Sequence, residues 1–179
     1  MNDAQSLQQA IDEPVQLVEY DSTWPARYAA EHDRLLQRFH ADLLDVQHIG
    51  STAVPGMPAK PIIDVMAGVA SMAMADALFE PILDYGYVTS IEFNAGLSDR
   101  RWFMRHANGR RTHHLHVVVH DGELWQQRLA FRDALRRDPV LATRYAALKR
   151  ELAASHHEDR EAYTQAKGEF ISSVLASSR

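Results

Sequence analysis

Apolar residues first recur at helical spacing and then give way to strand-like runs. Between Ala26 and Leu44, the residues Tyr28, Leu35, Leu36 and Phe39 fall on one helical face. Asp21-Ser22-Thr23 supply capping groups ahead of this run, and Trp24-Pro25 open it. Val15–Tyr20 alternates weakly and predicts a short edge strand, and Val46–Ile49 predicts another that ends at Gly50. Ser51–Lys60, with Pro55, Gly56 and Pro58, reads as a loop. Pro61–Val69 is nearly all apolar and predicts a buried strand, interrupted by Asp64. Ser71–Tyr85 is amphipathic and stops at Gly86, the usual place for a helix C-cap, and Tyr87–Phe93 predicts a strand. Arg100–His106 and Thr112–His120 flank Asn108-Gly109, a strong local signal for a hairpin.

Beyond Gly122 the pattern turns helical in three runs, Leu124–Arg137, Val140–Ala154 and Arg160–Leu175. Asp138-Pro139 divides the first pair, and the polar connector Ser155–Asp159, with His156-His157-Glu158, divides the second. The expected fold class is α+β, a mixed or largely antiparallel sheet with helices followed by a C-terminal helical segment. Residues 1–14 read as a disordered leader. Residues 15–175 read as a single domain, with a sheet-containing part over 15–121 and a helical part over 122–175.

Composition narrows the function classes. Nineteen basic and 24 acidic residues give a formal charge of -5, which argues against a general nucleic-acid coat but allows a local basic pocket. The absence of cysteine removes disulfides and thiolate metal sites and fits a reducing cytoplasm. Met1–Glu13 is polar, and no apolar run reaches membrane-spanning length, so no membrane partner is expected. Neither a protein partner nor an oligomeric state is specified by the sequence.

The chemistry concentrates at four places. Gly50-Ser51-Thr52 follows a strand, where glycine permits a sharp turn and the next amides and hydroxyls can hold a phosphate. Asp64 interrupts an apolar strand, and a buried carboxylate needs a partner or a metal. His114 and His116, two apart on a strand, point to one face, and His113 points to the other with Leu115. Counting outward from an Asn108-Gly109 turn pairs Arg105 with Thr112, Phe103 with His114 and Arg101 with His116. One face would then carry Arg101, Arg105, His114 and His116; a bulge would change this register. Arg101 would disfavour a charged His116, leaving the neutral form that binds metal or accepts a proton. Asp64, His114 and His116 are thus a candidate ligand set for a divalent metal, zinc, manganese or iron, with magnesium as the other expected cofactor and Asp64 and His116 as candidate catalytic groups. Lys60 precedes the Asp64 strand and can reach a phosphate. Arg128, Arg132, Tyr145, Lys149, Tyr163 and Lys167 recur near helix-face spacing.

The run from His48 through Gly56, continued by Ala59-Lys60-Pro61-Ile62-Ile63-Asp64-Val65, resembles the signature of the GrpB family. Arg111-Thr112-His113-His114-Leu115-His116 resembles it too, as do Phe131-Arg132-Asp133, Tyr145–Lys149 and Asp159–Tyr163 with Lys167. The likeness extends over about Val15–Ile171. GrpB proteins are similar to polymerase-beta-like nucleotidyltransferases, so the resemblance implies a nucleotidyltransferase-like fold and a nucleotide or phosphorylated small molecule as ligand. It also implies that Tyr145, Lys149 and Lys167 line a cleft opposite the sheet. In that superfamily a second acid joins the first to hold magnesium; here its position is Met66, and a thioether does not serve a hard ion. The resulting expectation is a nucleotide- or phosphate-ligand-binding protein, with metal-dependent nucleotidyl or phosphoryl transfer as the enzymatic form. A catalytically silent binding module and a histidine-based metal hydrolase are the alternatives.

Overall fold

The computed structural model describes residues 3–14, 16–155 and 160–177. One sheet holds four strands, β1 (Asp45–Ile49), β2 (Ile63–Val69), β3 (Arg100–Ala107) and β4 (Arg110–Val119), in the order β1-β2-β4-β3. β1 runs antiparallel to β2, β3 runs antiparallel to β4, and the central pair β2 and β4 is parallel. The α+β class and the trailing helical segment agree with the hydropathy pattern.

Strand alternation divides β2 between two layers. Ile63, Val65, Ala67 and Val69 join Leu115 and Val117 of β4 in the main core. Helices α2 (Trp24–Phe39), α3 (Met72–Ala77) and α4 (Phe79–Asp84) close that side through Trp24, Leu35, Phe39, Ala75 and Ile82. The opposite face presents Asp64, Met66 and Gly68 to α6 (Glu123–Arg137), where Trp125 packs with Ile49, Met66 and Val118. A Cβ on Gly68 would lie 2.9 Å from the rings of Trp125 and His120, so the indole rests on bare backbone. Helices α7 (Pro139–Ser155) and α8 (Arg160–Ser177) complete this layer; Tyr145 and Ala146 seat on Val54 and Met57 of the loop after β1.

Several elements depart from the sequence pattern for identifiable reasons. Within the leader, Asp3–Ile11 forms helix α1, whose buried Ala10 accepts a 2.9 Å hydrogen bond from Arg111 Nε through its carbonyl. Glu13 accepts from the Arg111 amide at 3.1 Å, so the hairpin end fastens a segment with little apolar periodicity of its own. In the expected strand Val15–Tyr20, Val18 makes one isolated bridge to Ala59, and Val15 lies outside the described residues. The expected strand Tyr87–Phe93 is reduced to a bridge between Val88 and Met104. The Ser90 hydroxyl then accepts from the Phe93 amide at 3.1 Å and starts helix α5 (Ile91–Ala95). The amphipathic run Ser71–Tyr85 is split into α3 and α4 because Pro81 is tolerated only in a first helical turn. The connector His156-His157-Glu158 lies outside the described residues.

Glu31 joins α2 to the sheet. It is 3% exposed and accepts hydrogen bonds from the Tyr87 hydroxyl and from Arg105, with Arg34 at 3.4 Å. Removing Glu31 leaves the buried Tyr87 hydroxyl without its acceptor and two partly buried guanidinium groups without their carboxylate. Glu31→Ala is expected to cost about 3 kcal/mol in urea unfolding; an unchanged midpoint would show that this network does not hold α2 to β3.

Candidate functional site

Pairing of β2 with β4 places Asp64 beside His114 and Met66 beside His116. Asp64 Oδ1 lies 3.3 Å from His114 Nδ1 and 3.7 Å from His116 Nε2, so both imidazoles address one carboxylate oxygen. Desolvation raises the Asp64 pKa, but the contacts from His114 and His116 more than reverse this and hold it well below the usual carboxylate range. Burial drives His116 the other way, down to about 4, against the pull of Asp64. The far nitrogens, His114 Nε2 and His116 Nδ1, are buried without a hydrogen-bond partner among the described residues.

The chain before β2 closes on the same carboxylate. Gly50 has φ 72°, and a Cβ there would lie 2.5 Å from Asp64 Oδ2. Ser51–Ala53 then makes one 3-10 turn. Ser51 is half-buried at its start, whereas Thr52 is buried and its Oγ1 lies 2.9 Å from His48 Nε2. The Thr52 hydroxyl, a sequence candidate for phosphate, therefore belongs to the support of the turn. His48 stacks on Tyr28 at 4.7 Å. From α6, Arg132 donates to the His48 carbonyl and Arg136 to the Ala53 carbonyl, each at 2.9 Å, bracketing the turn.

The hairpin corrects the expected positions of two arginines. Asn108 and Gly109 have φ 52° and 75° and form the expected turn, with Ala107 opposite Arg110. A bulge follows: His106 pairs with Arg111 and Arg105 with His113, leaving Thr112 as the extra residue. Its carbonyl accepts from Arg27 at 3.3 Å. Past this point Met104 faces His114, Trp102 faces His116 and Arg100 faces Val118. Arg101 and Arg105 thus lie on the other face, where Arg101 pairs with Asp76 at 2.7 Å and Arg105 with Glu31. Neither is available to a ligand at Asp64.

Other cations take their place. Arg100 stands on the histidine face; its Nε is buried without a partner among the described residues, and its Nη1 pairs with the exposed Asp99 at 3.1 Å. Burial, then Arg100, lower the pKa of Arg128 on α6, which Asp64 partly offsets. Lys149 is 1% exposed, donates to the Pro58 carbonyl and lies 5.0 Å from the Tyr145 ring centre. Burial, with Lys167 and Arg150, brings its pKa down to about 7, opposed by Asp64. Tyr145 raises the pKa of Lys167, whose Nζ lies 5.5 Å from the Tyr163 ring centre; Lys60 lies 4.8 Å from the same ring. Tyr145 itself is buried between Phe131 and Phe170 and supports the lysine layer from within. Arg100 was missed because the bulge that turns it inward leaves no mark in the hydropathy pattern. Arg128 resembles the solvated charges around it.

A carboxylate held by two imidazoles, beneath a helical layer rich in cations, defines the class of site that this fold carries. The chain belongs to the GrpB family, whose profile, described as GrpB protein, matches residues 14–177. The crystal structure of conserved protein GrpB from Enterococcus faecalis is similar with a TM-score of 0.77 and 34% identity, over 90% of this chain and 98% of that one. UPF0157 protein YqkA of Bacillus subtilis is 36% identical over 157 residues, 88% of this chain and 45% of YqkA. Dephospho-CoA kinase of Mycolicibacterium paratuberculosis is 36% identical over 186 residues, 90% of this chain and 45% of the kinase. The chain spans under half the length of these two relatives.

The histidines give the fold an acid sensitivity of definite sign. Burial lowers His48, His113 and His116 from 6.5 to about 4. The unfolded chain therefore takes up protons that the folded chain refuses, and stability is lost as pH falls from 6.5 towards 4. Each histidine contributes a slope of up to about 1.4 kcal/mol per pH unit. Melting temperatures between pH 7.5 and 4.5 should fall across this window, and His116→Gln should fall less steeply. Equal slopes for the two proteins would contradict a neutral His116.

Proposed function

We propose that the Asp64 face of the sheet and helices α6–α8 form a cleft that binds a phosphorylated small molecule. The observation that carries this reading is charge. Arg128, Lys149 and Lys167 each feel the charge of Asp64, and Arg100 stands beside Arg128, whereas Asp99, the other carboxylate near Arg128, is exposed. Desolvated cations in excess repel one another, and an anionic occupant relieves that repulsion and fills the unmet hydrogen-bonding capacity. Ser51, in the turn after β1, and Lys60, ahead of β2, are proposed as further donors. A relative named Dephospho-CoA kinase, aligned over less than half its length, suits an accessory module that holds a phosphorylated coenzyme or nucleotide.

The nucleotidyltransferase resemblance extends this to group transfer with magnesium, and the residues do not fit that arrangement. Met66, at the second-acid position, is fully buried against Ile49, Val118 and Trp125. Among the described residues no His, Asp or Glu group is preformed as a metal ligand set, and the surrounding cations oppose a free divalent ion. Binding without two-metal transfer is the reading that the site supports best. Asp64, His114 and His116 as a zinc or manganese site is the second reading, favoured by their meeting at one carboxylate oxygen.

Thermal unfolding with ligand separates the two, because a ligand specific for the folded state raises the melting temperature. Tripolyphosphate, ATP or coenzyme A should stabilise metal-free protein. Arg128→Ala should weaken binding about tenfold or more, as expected on losing a charged hydrogen bond. Zinc, manganese or magnesium alone should have no effect. A shift with zinc or manganese alone, lost in His116→Gln, would support the metal site instead. No shift with any phosphate compound would contradict the anion site.

A further inference from the structure

We propose that Phe93 and Trp102 form a seat for an aromatic ring carried by the ligand, which makes that ligand nucleotide-like and not a bare phosphate ester. This rests on the anion site described above and specifies the other end of its occupant. Trp102 stands on the same face as His116 and Arg100, and its ring centre lies 5.3 Å from that of His114. Phe93 of α5 lies 5.4 Å from Trp102 at 80°. Ring contacts therefore run from the imidazole beside Asp64 through Trp102 to the exposed Phe93. β3 is two strands from β2 and Trp102 pairs one repeat beyond the level of Asp64, which places the Trp102 backbone roughly 12 Å from that of Asp64. Arg100, also on β3, stands alongside the path.

The seat is built to hold its shape. Asn94 is buried; its Oδ1 accepts from the Trp102 amide at 2.8 Å, and its Nδ2 donates to the Trp102 carbonyl at 2.9 Å. One side chain thus does for the outer edge of β3 what a further strand would do, and it fixes α5 against Trp102. Edge protection explains Asn94 but not the residues beside it. Ile91 is 72% exposed and Phe93 48% exposed, on a helix of five residues. Two side chains fall far short of the roughly 800 Å² that each partner contributes to a stable protein interface. They match the size of one planar ring, which stacks on aromatic side chains whatever its hydrogen-bonding edge.

Calorimetric titration of the full chain with ATP, GTP, CTP and UTP, each compared with inorganic tripolyphosphate, tests the seat. The best nucleotide should bind at least about tenfold more tightly than tripolyphosphate. Phe93→Ala, an exposed substitution, should remove most of that advantage and leave tripolyphosphate affinity unchanged, while Phe93→Tyr retains it. Nucleotide should quench the half-buried Trp102, since Trp24 and Trp125 are buried in the cores. Equal affinity for nucleotide and tripolyphosphate, or a Phe93→Ala protein that binds nucleotide like the parent, would overturn the seat and leave the anion site standing. Failure of both ligands to bind would overturn the two together.

Discussion

A carboxylate on the face of a sheet, its side chain only 29% exposed, depends on protein groups for much of its solvation. Here the parallel pairing of β2 with β4 provides that solvation by aligning Asp64 with His114 and placing His116 one repeat further along. The consequences spread outward from this contact. Burial keeps His116 neutral, and both imidazoles bury their far nitrogens; Gly50 stays free of a side chain so that the chain can pass the carboxylate. α6 secures the resulting turn with Arg132 and Arg136 while Arg128 is held near the same acid.

The two faces of the sheet use charge differently. Towards α2, Arg105 and Arg34 share Glu31, and each charge has an opposite partner within reach. Towards α6–α8, among the described residues, the cations exceed their counter-charges, and buried polar atoms on His114, His116 and Arg100 lack partners. Charges that touch an opposite charge, as Arg34 and Arg105 both touch Glu31, act as a fastening. An unmatched set with unsatisfied donors and acceptors has the character of a binding site.

The sequence foretold much of the frame. Alternation around Asn108-Gly109 gave the hairpin, the apolar run around Asp64 gave the buried strand, and helical periodicity gave α2 and α6–α8. His114 and His116 could be placed on one face because they share a strand. Their partners could not, because Thr112 is inserted at a bulge that no hydropathy pattern marks, and a shift of one residue moves every β3 side chain to the other face. Arg100 and Trp102 entered the site, and Arg101 and Arg105 left it. α5 was hidden for a related reason: Thr89–Phe93 has strand-like residues, but the Ser90 cap and the Asn94 side chain satisfy the backbone locally. α1 depends on contacts from a distant hairpin, which local pattern does not encode.

An anion-binding cleft beside Asp64, with Arg100 and Arg128 as its donors, is the central claim, and locating an anion in crystals tests it most directly. Tungstate has the shape and charge of phosphate and scatters anomalously. Crystals soaked in it should show a peak within hydrogen-bonding distance of Arg100 and Arg128, on the face that carries His114 and His116. Ordered tungstate found only elsewhere on the molecule, with this cleft empty, would contradict the account.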